Sequence, residues 1–264
     1  MKKYELQSGK VVLRPRSKAL PAFILTAVFF YISVKVTGFD MGLLKERGIQ
    51  FFVILGQMFP PKVSYTGSIW TPLIDTVKMS LLGSIIGSVA AMPVAVLAST
   101  NIVKNRGVVG FIRFILSIIR TLPTLVTALI ATYVFGLGTL AGTTAIAVFT
   151  FAYVGKMLYE QIETVDMGAF EAMEAMGCSR FQAFLGAVLP QVTSSYLSVC
   201  LFCFEGNVRY ASILGYVGAG GLGLILSEKV GWREYDCVGM ILIMLFLTVL
   251  IIEAVSHFIR VRLS

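Results

Sequence analysis

Six apolar runs of about twenty residues, separated by shorter polar segments, constrain the fold of this chain more than any other feature. An α-helix rises about 1.5 Å per residue, so a run of that length matches the roughly 30 Å hydrocarbon core of a bilayer. Charged residues make up only 14% of the sequence, whereas a soluble domain has about 25%. The sequence therefore predicts an all-α, polytopic membrane protein with about six transmembrane helices in a lipid bilayer.

The third run is too long for one straight crossing, and we expect an interfacial or tilted first part followed by a kink near Pro123. The predicted spans are 19–38, 76–99, 108–135, 139–158, a fifth from Pro190 to 216, and 237–257. The predicted organisation is a basic tail at 1–18, a first helix at 19–38, an external connection at 39–74 and a core at 75–260 that contains a polar loop at 160–190.

Lysine and arginine predict the orientation of the chain. With the N-terminus inside, the cytosolic segments hold twelve of these residues and the outer segments about five. This is the bias expected of cytoplasmic loops in membrane proteins, and it explains the net charge of +8 without a nucleic-acid partner. We expect a multi-pass protein of the bacterial inner membrane with both termini in the cytosol.

The polar loop carries signals for two short helices. Asp166 is placed to cap a helix over 167–176, and Gly177 can adopt the left-handed conformation that ends it. Ser179 and Gln182 have the spacing of a capping box for a second helix over 181–189.

The same loop resembles the EAA loop of ABC importer permeases. Glu171, Gly177 and Leu189-Pro190 fall in register with that motif, whereas Met173 and Ala187 depart from it. In that family a separate ATPase acts on this loop. The resemblance therefore implies ATPase-coupling roles for Glu171, Ala172, Ala175, Gly177, Leu189 and Pro190. An ordinary amphipathic loop helix with a glycine stop is the alternative reading of the loop taken by itself.

Two further stretches are similar to phosphonate transport permeases, namely 120–126 and the Phe-Glu-x-Asn-Val-Arg element at 204–209. The resemblance covers about residue 75 to the C-terminus. It implies a type I ABC importer transmembrane domain that forms a homodimer, two copies of an ABC ATPase subunit, and an extracytoplasmic binding protein that delivers phosphonate. The alternative cargoes are phosphite, phosphate and methionine.

Charged residues inside the spans are candidates for the translocation path, because ionisable groups are costly in a bilayer. Glu205 and Arg209 lie about 22 Å and 28 Å beyond Pro190 along a helix. They could simply neutralise each other, or Arg209 could meet an oxyanion with Asn207 beside it. Arg120 is either part of a cytosolic interfacial stripe with Arg106 and Arg113 that is attracted to anionic lipid, or lies at the floor of the cavity. The residues predicted for the path are Arg120, Glu205, Asn207 and Arg209.

A glycine-rich segment precedes the last span. Gly218, Gly220 and Gly223 formally match a dinucleotide-binding fingerprint, but no strand precedes them. We expect Gly218, Gly220, Gly221 and Gly223 to permit a sharp turn or close helix packing.

The sequence contains no phosphate-binding loop of the kind that ATPases use, and it predicts no cofactor and no metal site. We therefore expect a transport subunit whose ATP is hydrolysed by a partner, and not an enzyme. A secondary transporter is the rival from another class, although such proteins commonly show internal repeats that are not evident in this sequence. A membrane enzyme ranks third.

Overall fold

The computed structural model describes residues 3–5, 11–13 and 19–263. Two short strands, β1 (Lys3–Glu5) and β2 (Val11–Leu13), form an antiparallel pair with Tyr4 opposite Val12. Eleven α-helices account for most of the remainder of the described chain, which confirms the all-α class predicted from the apolar runs.

The helices run as follows along the chain: α1 Ala19–Val36, α2 Met41–Gln57, α3 Thr66–Ala98, α4 Arg106–Thr121, α5 Thr124–Phe135, α6 Thr139–Thr164, α7 Gly168–Ala175, α8 Arg180–Ala183, α9 Leu189–Leu214, α10 Leu222–Gly231 and α11 Tyr235–Leu263. Short 3₁₀ turns lie at Val63–Tyr65 and Gly215–Val217, and a π-helix at Phe184–Val188 joins α8 to α9.

The chain divides into two units, 1–55 and 56–264. The first contains the strand pair, α1 and most of α2. The side chains of α1 are exposed along nearly its whole length although the helix is apolar, which is what a lipid-facing span presents. Helix α2 lies in the segment predicted as a connection, so that part of the chain is helical over 41–57.

The second unit is built on the packing of α3 against α6. Gly83 and Gly87 of α3 allow this close approach, because a Cβ on Gly83 would lie 2.9 Å from the carbonyl oxygen of Thr143 and a Cβ on Gly87 would lie 2.9 Å from the backbone nitrogen of Phe151. Helix α9 packs against both α3 and α6, and α11 packs against α9. The core of this unit is therefore a bundle in which α3, α6 and α9 contact one another.

Five helical segments of the described chain are long and apolar enough to cross a membrane, and the α4–α5 pair makes a sixth if it is one bent span. Helices α4 and α5 meet at an angle of 89°. The break falls at Pro123, and Leu122 before it is extended with ψ 125°, as steric clash with a following proline favours. The predicted number of spans and the predicted kink are confirmed.

Two span starts differ from the prediction by about ten residues, and α6 and α11 each extend six residues past their predicted ends. Helix α3 begins at Thr66, ten residues before the predicted start at 76, because Ile69 and Leu73 are buried against α10 and α11. The fifth span does not begin at Pro190, since the helix continues upstream through the π segment 184–188. The wider π turn accommodates Pro190, because the ring of a proline at this position would clash with the preceding turn of a regular α-helix.

Candidate functional site

The short helix α7 ends in a Schellman motif. Gly177 has φ +92°, its N–H donates to the carbonyl of Glu174 at 3.0 Å, and the N–H of Cys178 donates to the carbonyl of Met173 at 3.1 Å. These two bonds satisfy carbonyls that the helix end would leave unpaired. At the other end, Asp166 accepts a bond from the N–H of Gly168 at 2.9 Å. The predicted cap and glycine elbow are confirmed.

The elbow is followed by the predicted capping box. The hydroxyl of Ser179 accepts from the N–H of Gln182 at 3.3 Å, and the side chain of Gln182 accepts from the N–H of Ser179 at 2.9 Å. Both ends of the glycine turn are thereby fixed by short-range hydrogen bonds, so α7 and α8 are held as a helical hairpin.

One face of α7 is anchored and the opposite face is open. Phe170 is buried, with 3% of its surface exposed. Met173 packs closely on Gly186, since a Cβ built on Gly186 would lie 3.0 Å from the methyl carbon of Met173. Glu171, Ala172 and Ala175 are exposed. Three of the residues predicted to couple to an ATPase therefore share the exposed face of α7, while the opposite face of this helix packs against the bundle.

The other residues predicted for coupling lie elsewhere. Gly177 is exposed at the elbow, Leu189 is half-buried against the apolar core, and Pro190 is exposed in the first turn of α9. Leu189 and Pro190 thus belong to the joint between the π-helix and α9 and not to the open face of α7.

Next to α7, four polar residues and one backbone carbonyl hold the turn after α3. We call this group the α3 latch: Thr100, Asn101, Arg113, Glu163 and the carbonyl of Ala98. Arg113 of α4 donates from Nε to the carbonyl of Ala98 at 2.8 Å and forms an ion pair with Glu163 of α6. Glu163 also accepts from the N–H of Thr100 at 2.8 Å, and Asn101 donates to the carbonyl of Ile162 at 2.7 Å. The latch joins the C-terminal ends of α3 and α6 to the middle of α4.

A second set of contacts connects the latch to the α7–α8 hairpin. Arg180 of α8 donates to the carbonyl of Ile102 at 2.9 Å and pairs with Glu174 of α7 at 2.9 Å. Gln191 of α9 donates to the carbonyl of Asp166 at 3.1 Å. The sequence signalled Arg113 only as a member of an arginine stripe, and nothing in the sequence pattern pointed to Glu163 as its partner or to the bond between Thr100 and Glu163.

The arginine stripe predicted on α4 is divided by this packing. Arg106 and Arg120 are exposed, whereas Arg113 is half-buried with its guanidinium 4.4 Å from the centre of the Tyr159 ring. Arg120 lies in the last turn of α4, beside the elbow to α5. It is not among the residues that line the cavity described below.

Glu205 pairs with Arg260, which lies near the C-terminal end of α11. A guanidinium nitrogen of Arg260 on α11 lies 2.9 Å from Oε1 of Glu205, whose side chain is 7% exposed. The orientation is not that of a hydrogen bond, so the contact is an ionic one. Of the two alternatives for Glu205 and Arg209, mutual neutralisation is not what this structure shows, because Arg260 on the packed neighbouring helix α11 supplies the cation to Glu205.

Asn207 points into the bundle. Its amide nitrogen donates to the hydroxyls of Ser84 on α3 and Thr150 on α6, each at 2.8 Å, and the residue is 1% exposed. The backbone carbonyl of Asn207 accepts from Ser80 at 3.3 Å. In this conformation Asn207 ties three helices together and does not stand beside Arg209 on a cavity wall.

Arg209 is exposed and lines a cavity of about 330 Å³ between α6 and α9, which we call the niche. Within the part of the chain that the structure describes, no carboxylate lies within 4 Å of its guanidinium. The other residues that line the niche are Phe149, Tyr153, Phe202, Cys203, Gly206, Tyr210 and Ile213. An unpaired guanidinium at an aromatic wall can bind an anion by charge-assisted hydrogen bonds.

The glycine-rich segment makes a tight turn on the bundle. Gly218, Gly220 and Gly221 have φ of +79°, +77° and +68°, a region that L-residues with a side chain rarely occupy. The turn is held by a bond from the N–H of Leu222 to the hydroxyl of Thr76 at 2.7 Å. It supports the α10–α11 end of the unit and contributes no group to the niche.

Gly223 allows two backbones to touch. A Cβ on Gly223 would lie 2.8 Å from the carbonyl carbon of Ser212 and 2.9 Å from Cα of Gly215. The roles predicted for the four glycines, a sharp turn and close packing, agree with the positions that these residues occupy.

Comparison with known proteins places this architecture among transport proteins. Residues 83–264 match the model of a family described as binding-protein-dependent transport system inner membrane component. The chain is 32% identical over 211 residues to the phosphate-import permease protein PhnE of Mycolicibacterium smegmatis, covering 80% of this chain and 40% of that protein. It is 35% identical over 207 residues to the phosphite transport system permease protein PtxC of Stutzerimonas stutzeri, covering 78% of this chain and 75% of that one.

The fold is also found among solved structures. An inward-facing conformation of the MetNI methionine ABC transporter has a chain that superposes with a TM-score of 0.69 at 22% identity, covering 77% of this chain and 99% of that chain. At this level of identity the likeness concerns the fold alone.

Proposed function

The chain belongs to the family of binding-protein-dependent transport system inner membrane components, and from that premise we propose that it forms the translocation path of an ABC importer for phosphonates. The similar proteins named for phosphate and phosphite import favour a phosphorus oxyanion as cargo. The elements at 120–126 and 204–209 that resemble phosphonate permeases favour a phosphonate within that class. Phosphite, phosphate and methionine are the alternative cargoes.

In this proposal two copies of the chain pair in the bacterial inner membrane, and an extracytoplasmic binding protein delivers the cargo. Two copies of a separate ATPase subunit hydrolyse the ATP. The larger number of lysines and arginines in the segments predicted to be cytosolic, most of them in the N-terminal tail, supports a cytosolic position for both termini and for α7, on the side where ATP is available.

The open face of α7 is the observation that carries the proposal. Glu171, Ala172 and Ala175 offer a charge and a close approach to a partner, while Phe170 and Met173 fix the helix to the bundle. Eight residues of helix are about 12 Å long, a size that a groove on an ATPase can hold.

A displacement of α7 can reach the membrane helices through two sets of direct contacts. Met173 contacts the π segment at Gly186, which continues into α9, and Arg180 ties the hairpin to the turn after α3. The α3 latch then joins that turn to α4 and α6. When the ATPases close, movement of α7 would therefore shift the core helices α3, α6 and α9. This shift would open the translocation path alternately to the two sides of the membrane.

Arg209 is the group we propose to meet the cargo. It lies on α9, the helix that α7 moves, and its charge is not neutralised by Glu205 because Glu205 pairs with Arg260. A guanidinium forms two parallel hydrogen bonds with a phosphorus oxyanion, and a change in the position of α9 would present or withdraw it.

The test is the ATPase activity of the complex reconstituted with its partner ATPase and binding protein. Methylphosphonate, phosphite, phosphate and methionine are compared, each loaded on the binding protein. Stimulation by methylphosphonate above the other three is the expected result. Stimulation by methionine or phosphate alone would keep the importer but refute the cargo.

A further inference from the structure

The niche around Arg209 joins a cation to an aromatic wall, and we infer that it recognises the carbon substituent of an organophosphonate as well as its oxyanion. This inference rests on the proposed function and adds to it that the permease itself, and not only a binding protein, selects between organic and inorganic phosphorus oxyanions.

The first step is the free charge at one side of the niche. Glu205, one turn below Arg209 on α9, is held 2.9 Å from Arg260 and is 7% exposed. The guanidinium of Arg209 is exposed, and among the residues that the structure describes it has no acidic partner within 4 Å. An unneutralised arginine in a span is costly unless it serves an anion or water. This end of the niche suits a phosphonate head.

The second step is the wall. The rings of Phe149 and Tyr153 stack with centroids 5.9 Å apart, and Tyr210 meets Phe149 edge-on at 5.8 Å. Each ring restricts the others, so this surface is largely set before a ligand arrives. Phe202 and Ile213 extend the apolar lining. Such a wall favours an alkyl group, and the ring faces and aliphatic side chains offer an inorganic oxyanion no hydrogen bond in exchange for its hydration.

The third step is the space that Gly206 leaves. A Cβ built on Gly206 would meet only Cε2 of Tyr210 within 4 Å, at 3.8 Å, so a larger side chain has room to enter the niche. Glycine inside a helix costs about 1 kcal/mol relative to alanine. At this position glycine keeps open a cavity of about 330 Å³, which is at the small end of the roughly 300–1,000 Å³ range of small-molecule sites.

The chemistry of a phosphonate fits both ends of the niche. Its C–P bond sets an organic group opposite the charged oxygens, so the oxyanion can pair with Arg209 while the substituent lies against Phe149 and Phe202. Phosphite carries only hydrogen at that position and phosphate carries a fourth oxygen. The niche should therefore distinguish cargo by substituent.

The experiment measures ATP-driven uptake into proteoliposomes containing the reconstituted complex with an excess of binding protein. Phosphite, methylphosphonate and propylphosphonate are compared, each at a concentration shown beforehand to saturate the binding protein. The variants are Gly206→Leu, which fills the niche, and Phe202→Ala, which removes part of its wall. Gly110→Leu is the matched control, because Gly110 is a helical glycine on α4 whose Cβ would meet nothing within 4 Å.

We expect Gly206→Leu to lower propylphosphonate uptake roughly tenfold relative to phosphite uptake, since one or two methylenes are worth about that factor in a fitted pocket. Phe202→Ala should lower uptake of propylphosphonate and leave that of phosphite nearly unchanged. Gly110→Leu should leave the ratio unchanged.

The inference is overturned if the ratio of propylphosphonate uptake to phosphite uptake is the same in Gly206→Leu, Phe202→Ala and the unaltered protein. Selection would then reside in the binding protein, and the proposed importer function would stand. Unaltered protein that takes up none of the three compounds would refute the proposed function, and the inference with it. If Gly206→Leu does not insert in the membrane, the ratio in Phe202→Ala decides.

Discussion

Arg260 of α11 forms an ion pair with Glu205 of α9 at 2.9 Å, although the two residues are 55 positions apart in the sequence. The pair removes the negative charge nearest to Arg209 along α9. It also links the last helix to the helix that carries the proposed cargo residue. One ion pair thus bears on both the stability of the bundle and the charge of the niche.

Arg209→Ala should reduce uptake of methylphosphonate roughly ten- to hundredfold, because a hydrogen bond to a charged group contributes about 1.5–3 kcal/mol. Assembly with the ATPase should be unchanged, since Arg209 lies far along α9 from α7. Arg209→Lys should retain part of the activity as a point charge without the bidentate geometry. Unchanged uptake in Arg209→Ala, measured beside normal complex yield, would exclude this residue from the path.

Arg260→Ala should lower the free energy of unfolding by about 2 kcal/mol, because Glu205 would be left as a buried carboxylate without its cation. The double variant Glu205→Gln with Arg260→Met removes both charges and should recover most of that loss. Thermal unfolding in detergent is the measurement. A double variant no more stable than Arg260→Ala would show that the ion pair is not the source of the effect.

Gly177→Arg should uncouple ATP hydrolysis from uptake while the protein still inserts in the membrane. At φ +92° a side chain adds strain of about 1–2 kcal/mol, and the arginine also occupies the elbow beside the exposed face of α7. Gly177→Asn is the control, because asparagine tolerates the left-handed conformation better. ATPase rate and uptake are measured together, and normal uptake per ATP in Gly177→Arg would remove the coupling role from this elbow.

Breaking the α3 latch should weaken the transmission from α7 to the span helices. Arg113→Ala and Glu163→Gln should each lower uptake per ATP hydrolysed, and the two changes together should cost less than the sum of the two losses, since both residues act in one ion pair. Additive losses would indicate separate roles. Because both side chains are partly exposed, we expect an effect of only about 1 kcal/mol on stability.

Gly223→Ala should destabilise the protein by about 1–3 kcal/mol, because its methyl group would press on the backbone at Ser212 and Gly215. Gly231→Ala is the matched change, as a Cβ there would meet nothing within 4 Å. Unfolding in detergent should separate the two variants by several degrees. Equal midpoints would mean that the α9–α10 contact yields without cost.

Much of the fold was predictable from local sequence. Apolar run length identified the spans, Pro123 identified the break between α4 and α5, and the Asp166–Gly177 spacing identified α7. These features depend on residues close together in the chain. The early start of α3 could not be read in the same way, because it depends on Ile69 packing against distant helices.

The candidate site was predictable as a set of residue types but not as a set of partners. The i,i+4 spacing of Glu205 and Arg209 favoured an ion pair, yet tertiary packing brings Arg260 to Glu205 instead. The same holds for Asn207, whose amide nitrogen donates hydrogen bonds to the hydroxyls of Ser84 and Thr150 inside the bundle. Which of several allowed partners a polar side chain takes depends on helix packing, and local periodicity does not specify it.

The most direct test of the importer is uptake of methylphosphonate by proteoliposomes that contain this chain, its binding protein and its ATPase. Uptake is compared with ATP, with ADP, and with an imposed proton or sodium gradient but no ATPase subunit. We predict accumulation only when ATP and the ATPase subunit are both present. Accumulation driven by the ion gradient without the ATPase would contradict the account and establish a secondary transporter.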